Sequence, residues 1–93
     1  MSITHGMNVE EVKGLERELR THAQAIEDIK GKLNAKIDKV AGNDWKGKDA
    51  SDFKDKVWAE HRKTLDRIVK DLRAAADQAK KNVVKQEDTS RSL

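Results

Sequence analysis

The three histidines, His5, His22 and His61, are the side chains best suited to bind a metal or to transfer a proton near neutral pH. A metal site needs several ligands at short, defined spacings, and the sequence contains no His-Glu-x-x-His or comparable cluster. His22 and His61 instead fall on the apolar stripes of two different predicted helices, many residues apart along them. We therefore predict that they are core or boundary residues and that the protein binds no metal.

The carboxylates are numerous, but their pattern is typical of a helix surface rather than of a catalytic site. The 93 residues include 17 acidic and 20 basic side chains, which alternate along the chain and leave a net charge of +3. The sequence has no cysteine, no glycine-rich phosphate loop and no Gly-x-Ser-x-Gly elbow. We predict a protein that is not an enzyme and needs no cofactor.

Four basic residues in one sector of the second predicted helix, Lys56, Lys63, Arg67 and Lys70, are suited to bind phosphates. Acidic residues interrupt this sector, and the chain has few aromatic side chains on which bases could stack. A mixed-charge surface is therefore the favoured interpretation. A cytoplasmic helical adaptor that binds nucleic acid through this basic face is the alternative function.

The opening segment, MSITHGMNVEE, has no basic cluster followed by an apolar run, so we expect no cleavable secretory signal. No apolar run approaches the roughly 18 residues that a transmembrane helix needs, so we expect no stable membrane insertion. These expectations concern the general export route. A system that exports folded proteins needs neither feature.

Apolar residues spaced three and four apart predict two long helices, at about residues 9–41 and 49–84. Asn8 is suited to cap the start of the first helix, and Gly42 to close its end in a left-handed conformation. The second helix is expected to begin at or shortly after Lys48, with acidic residues in its first turn.

A fold-back at Trp45 brings the two apolar stripes into register, because the residue numbers of facing positions then sum to about 90. We therefore predict an all-α fold, an antiparallel two-helix hairpin over residues 8–85. The segments 1–7 and 86–93 are expected to be a flexible N-terminus and a flexible polar tail.

A single pair of helices of this length leaves the sides of its stripe exposed, and further apolar residues flank the stripe. The flanking residues are Val9, Ala23, Val69, Ala76 and either Val57 or Trp58. They predict that two hairpins dimerise into a four-helix bundle. The residues predicted to pack the hairpin and the dimer are Leu15, Leu19, Ile26, Ile29, Leu33, Ile37, Phe53, Trp58, Leu65, Ile68 and Leu72.

Trp45 is an unusual residue for a turn in a chain with only two tryptophans and one phenylalanine. One interpretation is a plug that closes the end of the hairpin by packing on Ile37, Val40 and Phe53. The other is an anchor for a partner, because an indole offers a large apolar area and a polar N–H at its rim. On physical grounds the two interpretations are equally good.

The tripeptide Trp45-Lys46-Gly47, between two helices of similar length, resembles the signature of the WXG family. These are the small early-secreted-antigen-like substrates of bacterial type VII secretion. Ala50 and Phe53 occupy the positions where family members have an alanine and an aromatic residue. The resemblance extends over nearly the whole chain, and it favours the anchor interpretation of Trp45.

The resemblance implies a helical hairpin that dimerises with itself or with a WXG paralogue and is exported folded by the type VII ATPase machinery. It implies that the turn of Trp45 and Gly47 lies near a Tyr-x-x-x-Asp/Glu motif at the C-terminal end of the partner's second helix. This chain contains no tyrosine. Its nearest substitute, Val84 with Asp88, makes a degenerate export motif, and Val83 with Glu87 has the same spacing.

The sequence therefore predicts a non-enzymatic WXG-type substrate, or the co-exported escort of one, synthesised in the cytoplasm and secreted without a cleavable signal peptide. Homodimer and heterodimer both fit the apolar pattern. A basic chain paired with an acidic paralogue fits the net charge. A targeting partner for a larger toxin is a third possibility.

Overall fold

The first helix, α1, runs from Val9 to Val40 in the computed structural model, which describes residues 7–92. Its start is capped as predicted, because the Glu11 backbone N–H donates a hydrogen bond of 3.2 Å to Asn8 Oδ1. Its end is also as predicted: Gly42 has a φ of 103°, the left-handed conformation that glycine adopts without steric penalty.

The second helical arm consists of three consecutive segments rather than one regular helix. Helix α2 covers Lys48–Asp52, a π-helical segment covers Phe53–Trp58, and α3 covers Ala59–Ser92. A π-helical turn holds more residues than an α-helical turn, so it changes the direction in which the following side chains point.

Helix α3 extends beyond the predicted end near residue 84, so the polar segment up to Ser92 is helical where a flexible tail was predicted. An ion pair between Lys13 and Glu87 Oε2, 3.4 Å long, lies in this last part of α3. Residues 1–6, which make up most of the predicted flexible N-terminus, and Leu93 lie outside the described residues.

The described chain forms two compact units, in each of which the helices are antiparallel. The terminal unit contains the chain up to Ala23 and from Lys70 onward, and Lys13–Glu87 and Arg20–Asp77 ion pairs join its two arms. The turn unit is Gln24–Val69, and Lys30–Asp66 and Lys54–Asp38 ion pairs join its arms. The predicted all-α hairpin fold is thereby confirmed.

Small side chains form the buried core of the terminal unit, and small side chains with one tryptophan form that of the turn unit. Ala23, Ala76, Ala79 and Val83 are buried in the terminal unit, and Ala50, Trp58 and Val69 in the turn unit. Four of these, Ala23, Trp58, Val69 and Ala76, belong to the set that the sequence placed on the flank of the stripe.

Several large side chains that were predicted to face the other helix are instead exposed. Leu15, Ile29 and Leu33 of α1 are 49%, 55% and 44% exposed, and Ile68 of α3 is similarly exposed. The predicted division between seam and flank is therefore wrong. Alanine and valine occupy the contact between the helices, because small side chains allow helix axes to approach closely, and the large aliphatic side chains lie beside that contact.

No helix among the described residues combines the length and the apolar character that a membrane-spanning segment requires.

Candidate recognition site at the tryptophan turn

The backbone of the turn holds Trp45 against the end of α1. The Val40 carbonyl accepts hydrogen bonds from the N–H groups of Asn43, Asp44 and Trp45, at 3.3, 3.1 and 2.9 Å. The Gly42 N–H donates to the Trp45 carbonyl at 2.7 Å, so Trp45 is bonded through both its N–H and its C=O. The Asn43 side chain adds a bond of 2.8 Å to the Lys39 carbonyl. The turn thus presents Trp45 on a backbone that is already ordered.

Gly47 connects the turn to the second arm and directly precedes α2. Its φ of 104° and ψ of −174° lie in a region of backbone space that is essentially restricted to glycine. Apart from Gly47 itself and its two chain neighbours, no heavy atom of the described residues lies within 4 Å of the position that a Cβ at Gly47 would take. The requirement for glycine in the Trp-x-Gly motif is therefore conformational rather than a matter of space.

The Trp45 indole packs on one side and is open on the other. Its ring centroid lies 5.5 Å from that of Phe53, and the two planes are tilted by 51°. Together with Ile37, Val40 and Ala41, these rings line an open apolar cleft with Lys36 at its edge. Trp45 remains 40% exposed. It packs on the residues predicted for a plug, and it also retains the exposed area that an anchor needs.

Trp58, the second tryptophan, is buried at the other end of the π-helical segment. It is 7% exposed, and its indole N–H donates a hydrogen bond of 3.0 Å to Asn34 Oδ1 on α1. The same oxygen accepts a bond of 3.2 Å from the Arg62 guanidinium. The π-helical segment therefore begins with the ring that supports Trp45 and ends with a tryptophan bonded to the opposite helix.

Ion pairs also join the two arms within each unit. Hydrogen bonds to Asp66 and then to Glu27 raise the pKa of Lys30 above its ordinary value, against a smaller lowering by burial. In the terminal unit, hydrogen bonds to Asp77 and Glu16 raise the pKa of Arg20 in the same way. Both side chains therefore stay charged across the physiological pH range.

The remaining predicted site residues are distributed over both units. Val84 and Asp88 are exposed on α3, four residues apart. The predicted packing residues Leu19, Ile26, Ile37, Phe53, Leu65 and Leu72 are partly buried. The side chains of His22 and His61 are exposed rather than in a core, and no group of potential metal ligands occurs among the described residues.

The basic residues Lys56, Lys63, Arg67 and Lys70 are exposed. Lys56 pairs with Asp52 at 3.5 Å. Acidic side chains that are exposed in the same stretch of helix include Glu60, Asp66 and Asp71. Nucleic-acid binding through this face stays a prediction.

Comparison with family models decides what kind of protein carries this turn. The model described as WXG100, proteins of 100 residues with WXG, matches residues 6–90. The chain belongs to the WXG100 family. Membership associates it with type VII secretion and with small, generally non-catalytic helical proteins that typically dimerise with paralogues. Comparison with curated proteins and with solved structures gives no match.

Two features of this WXG100 chain were not found by sequence reasoning. Asn34 received no role, although its number and that of Trp58 sum to nearly the value expected for facing positions. The π-helical segment was also missed, because it contains neither proline nor glycine and leaves no local signal. The available clue to the role of Asn34 was the position of a polar residue opposite a tryptophan.

Proposed function

We propose that this WXG100 protein is a non-enzymatic substrate, or the co-exported escort of one, of a bacterial type VII secretion system. It acts as a dimer of helical hairpins, with itself or with a paralogue. The Trp45 turn is one half of a composite export signal read by the secretion ATPase. The C-terminal part of the partner's second helix is the other half.

The observation that carries this proposal is the exposed Trp45 on an ordered backbone. Three N–H groups bonded to the Val40 carbonyl and a φ at Gly47 restricted to glycine hold the turn in one conformation. An anchor that is already ordered loses little conformational entropy on binding, so more of its contact energy appears as affinity. Tryptophan is also among the residues that most often dominate binding interfaces.

The exposed aliphatic residues support the dimer. Leu15, Ile29, Leu33 and Ile68 have more than a third of their surface in contact with solvent in the isolated chain. Such residues at helical spacing are typical of a surface that a second helical protein covers. They are members of the set that the sequence assigned to packing of the hairpin and the dimer.

The degenerate motif Val84 with Asp88 is proposed as the counterpart that this chain offers to the Trp45 turn of a partner. Val84 is exposed and presents an aliphatic side chain in place of a tyrosine. A weaker contact at this end leaves Trp45 as the stronger half of the signal in this chain.

The test is export of the Trp45→Ala variant from the producing cell, measured as the ratio of secreted to cell-associated protein. Loss of a dominant interface residue removes about 2 kcal/mol or more of binding energy, roughly 30-fold in affinity. Export is therefore expected to fall by at least an order of magnitude. The matched control is Lys46→Ala, which changes the exposed middle residue of the same motif and is expected to leave export unchanged.

Dimerisation of each variant is measured alongside export. Export of the Trp45→Ala variant at the level of the unaltered protein, with dimerisation intact, would refute the role of Trp45 as an export signal. A similar loss of export in both variants would show that export depends on the turn as a whole rather than on the indole.

A further inference from the structure

Three lysines of the turn unit lie beside the Trp45 cleft. We define the basic strip as Lys32, Lys36 and Lys39, which follow one another on α1 at intervals of four and three residues. In α-helical geometry they lie within about 60° of one another and extend over about 10 Å of the helix axis. They are on the side of α1 away from Asn34, which bonds to the second arm. The basic strip therefore faces outward, and its middle residue, Lys36, also lines the cleft.

The positive charge of the basic strip is not compensated by the residues around it. Residues 29–43 contain four lysines and one aspartate, an excess equal to the net charge of +3 of the whole chain. The fourth lysine, Lys30, pairs with Asp66, and the aspartate, Asp38, pairs with Lys54. The three lysines of the basic strip are exposed, and none of them forms an ion pair within the described part of the chain. Their charges are therefore available to a partner.

The stability of α1 does not explain the basic strip. A basic residue in the last turn of a helix interacts favourably with the helix dipole, but this effect is confined to that turn, which contains Lys39. Lys32 and Lys36 lie further inside α1, and like charges four residues apart destabilise a helix. Asp28, one turn before Lys32, accepts a hydrogen bond from Gln24 and forms no ion pair among the described residues. Because the strip opposes helix formation in the isolated chain, its position beside the cleft points to a role in binding.

The cleft beside the basic strip has the size of one large apolar side chain. Its volume is about 160 Å³, close to the roughly 150 Å³ of an apolar cavity that holds a benzene ring. The surface that it exposes is apolar, so Lys36 contributes the stem of its side chain to the cleft rather than its ammonium group. A side chain that enters the cleft therefore places its neighbours beside the charges of the basic strip.

We infer that the protein that reads the Trp45 turn during export binds it with an acidic segment. One large apolar side chain of that segment enters the cleft, and carboxylates beside it pair with the three lysines of the basic strip. Opposite charges across an interface speed association and exclude partners of the wrong charge. This inference rests on the proposed function, because it gives the chemistry of the partner that binds the same turn.

A protein segment fits this surface better than a nucleic acid does. A nucleic acid is negatively charged along its whole length. The basic strip ends at Lys39, however, and the exposed acids Asp44 and Asp49 lie beyond it. A protein segment can confine its acids to the part that lies over the strip. The apolar surface of the cleft also lacks the hydrogen-bonding groups that recognise the edge of a base.

The first experiment measures export, helix content and oligomeric state for charge variants of the full chain. Lys32→Glu with Lys36→Glu is expected to reduce export at least about tenfold, because two attractive ion pairs become contacts between like charges. Lys32→Arg with Lys36→Arg is expected to leave export unchanged, because arginine keeps the charge. The control is Lys63→Glu with Lys70→Glu, which changes the net charge equally at exposed positions of α3 and is also expected to leave export unchanged.

The second experiment follows Trp45 fluorescence in a Trp58→Phe background during titration with two probes. One probe is a synthetic helical peptide with a single leucine beside three glutamates at helical spacing, and the other is a thymidine oligonucleotide of similar length. The peptide is expected to shift the Trp45 emission to shorter wavelength, because its leucine covers the indole. Binding is expected to be at least about tenfold weaker when glutamine replaces glutamate in the peptide, or when Lys32 and Lys36 are changed to glutamate. The oligonucleotide is expected to cause no shift.

Several results would overturn the inference. In the cell, these are normal export of the Lys32→Glu, Lys36→Glu variant, an equal loss in the control, or a loss in the arginine variant. Loss of helix content or of the oligomeric state in the glutamate variant would assign the lysines to the fold rather than to recognition. In the titration, the contrary result is a peptide that causes no shift, and a shift by the oligonucleotide alone would assign the surface to nucleic acid.

Failure of this inference is distinguishable from failure of the proposed function. If Trp45→Ala abolishes export and the glutamate variant does not, Trp45 keeps its role and the acidic partner is excluded. If Trp45→Ala is exported normally, the export role of the turn is excluded whatever the lysine variants do.

Discussion

The two tryptophans of this chain have opposite environments although both lie in the turn unit. Trp58 is 7% exposed and donates its indole N–H to Asn34, whereas Trp45 is 40% exposed and contacts Phe53 through its ring. The π-helical segment Phe53–Trp58 contributes to both environments, because its first residue supports Trp45 and its last is Trp58. One tryptophan thus joins the two arms, and the other is exposed at the turn.

The difference shows that side-chain type alone does not determine the role of a residue. A buried indole stabilises the fold through its apolar area and its satisfied N–H. An exposed indole on an ordered turn contributes little to folding and retains its contact area for binding. Substitution of the buried indole is therefore expected to remove stability, and substitution of the exposed indole to remove binding.

The largest effect is expected for Trp58→Ala. Truncation of a buried aromatic residue costs about 3 to 5 kcal/mol, because it leaves a cavity and removes apolar contacts. Trp45→Ala is the matched variant, and its expected cost is about 1 kcal/mol, the energy of one exposed aromatic pair. The measurement is urea unfolding followed by circular dichroism at a fixed protein concentration, since dimerisation contributes to apparent stability.

Equal losses of stability in the two variants would contradict the comparison. In the cell, the main effect of Trp45→Ala is expected on export rather than on stability: this variant is expected to be folded and not exported. If Trp45→Ala unfolds the protein, the plug interpretation of this residue is the correct one.

A smaller effect is expected for Asn34→Ala. The substitution leaves the buried Trp58 N–H without its acceptor and removes a partner of Arg62, and an unsatisfied buried donor costs about 2 kcal/mol. Asn82→Ala is the control, because the Asn82 side chain accepts a hydrogen bond from Gln78 on the exposed surface of α3, where substitutions usually change stability by less than about 0.5 kcal/mol.

A double-mutant cycle sharpens this prediction. In a Trp58→Phe background the indole N–H is already absent, so Asn34→Ala is expected to cost less than in the unaltered chain. An undiminished cost in that background would show that Asn34 acts through Arg62 rather than through Trp58.

Much of the fold could be predicted from the sequence because its signals are local. Asn8 caps α1 through the N–H of Glu11, three residues later, and Gly42 closes α1 through its own φ. The hairpin itself follows from two helical stripes on either side of one turn. The Trp-x-Gly motif was recognisable for the same reason, since Gly47 has a conformation that other residues rarely adopt.

The choice between two neighbouring apolar stripes could not be predicted, because it depends on the distance between helices. Leu15 and Ala23 each belong to an apolar stripe with helical spacing, and periodicity does not reveal which of the two stripes faces the second arm. The structure selects Ala23, and Leu15 is exposed. The size of the side chains, rather than their hydrophobicity, indicates which stripe lies between the helices.

The length of α3 was underestimated because polarity was taken as a sign of flexibility. Lys85, Gln86 and Glu87 are polar, but all three residue types have high helix propensity. The Glu87 side chain also pairs with Lys13, which joins this part of α3 to α1. The polar end of the chain therefore has both an intrinsic and a tertiary reason to be helical.

The smallest effect is expected for Gly47→Ala, which tests how the turn presents Trp45. Alanine at a φ of 104° is strained, so we expect the free energy of unfolding to fall by about 1 kcal/mol. We also expect a change in the acrylamide quenching of Trp45 fluorescence, measured in a Trp58→Phe background so that Trp45 is the tryptophan observed. Gly31→Ala is the matched control, because Gly31 lies within α1 with open space around it, and there alanine is expected to stabilise by about 0.5 to 1 kcal/mol. The two changes are thus expected to have opposite signs. A Gly47→Ala variant that is as stable as the unaltered chain, with unchanged quenching of Trp45, would show that the turn does not need glycine to hold its tryptophan.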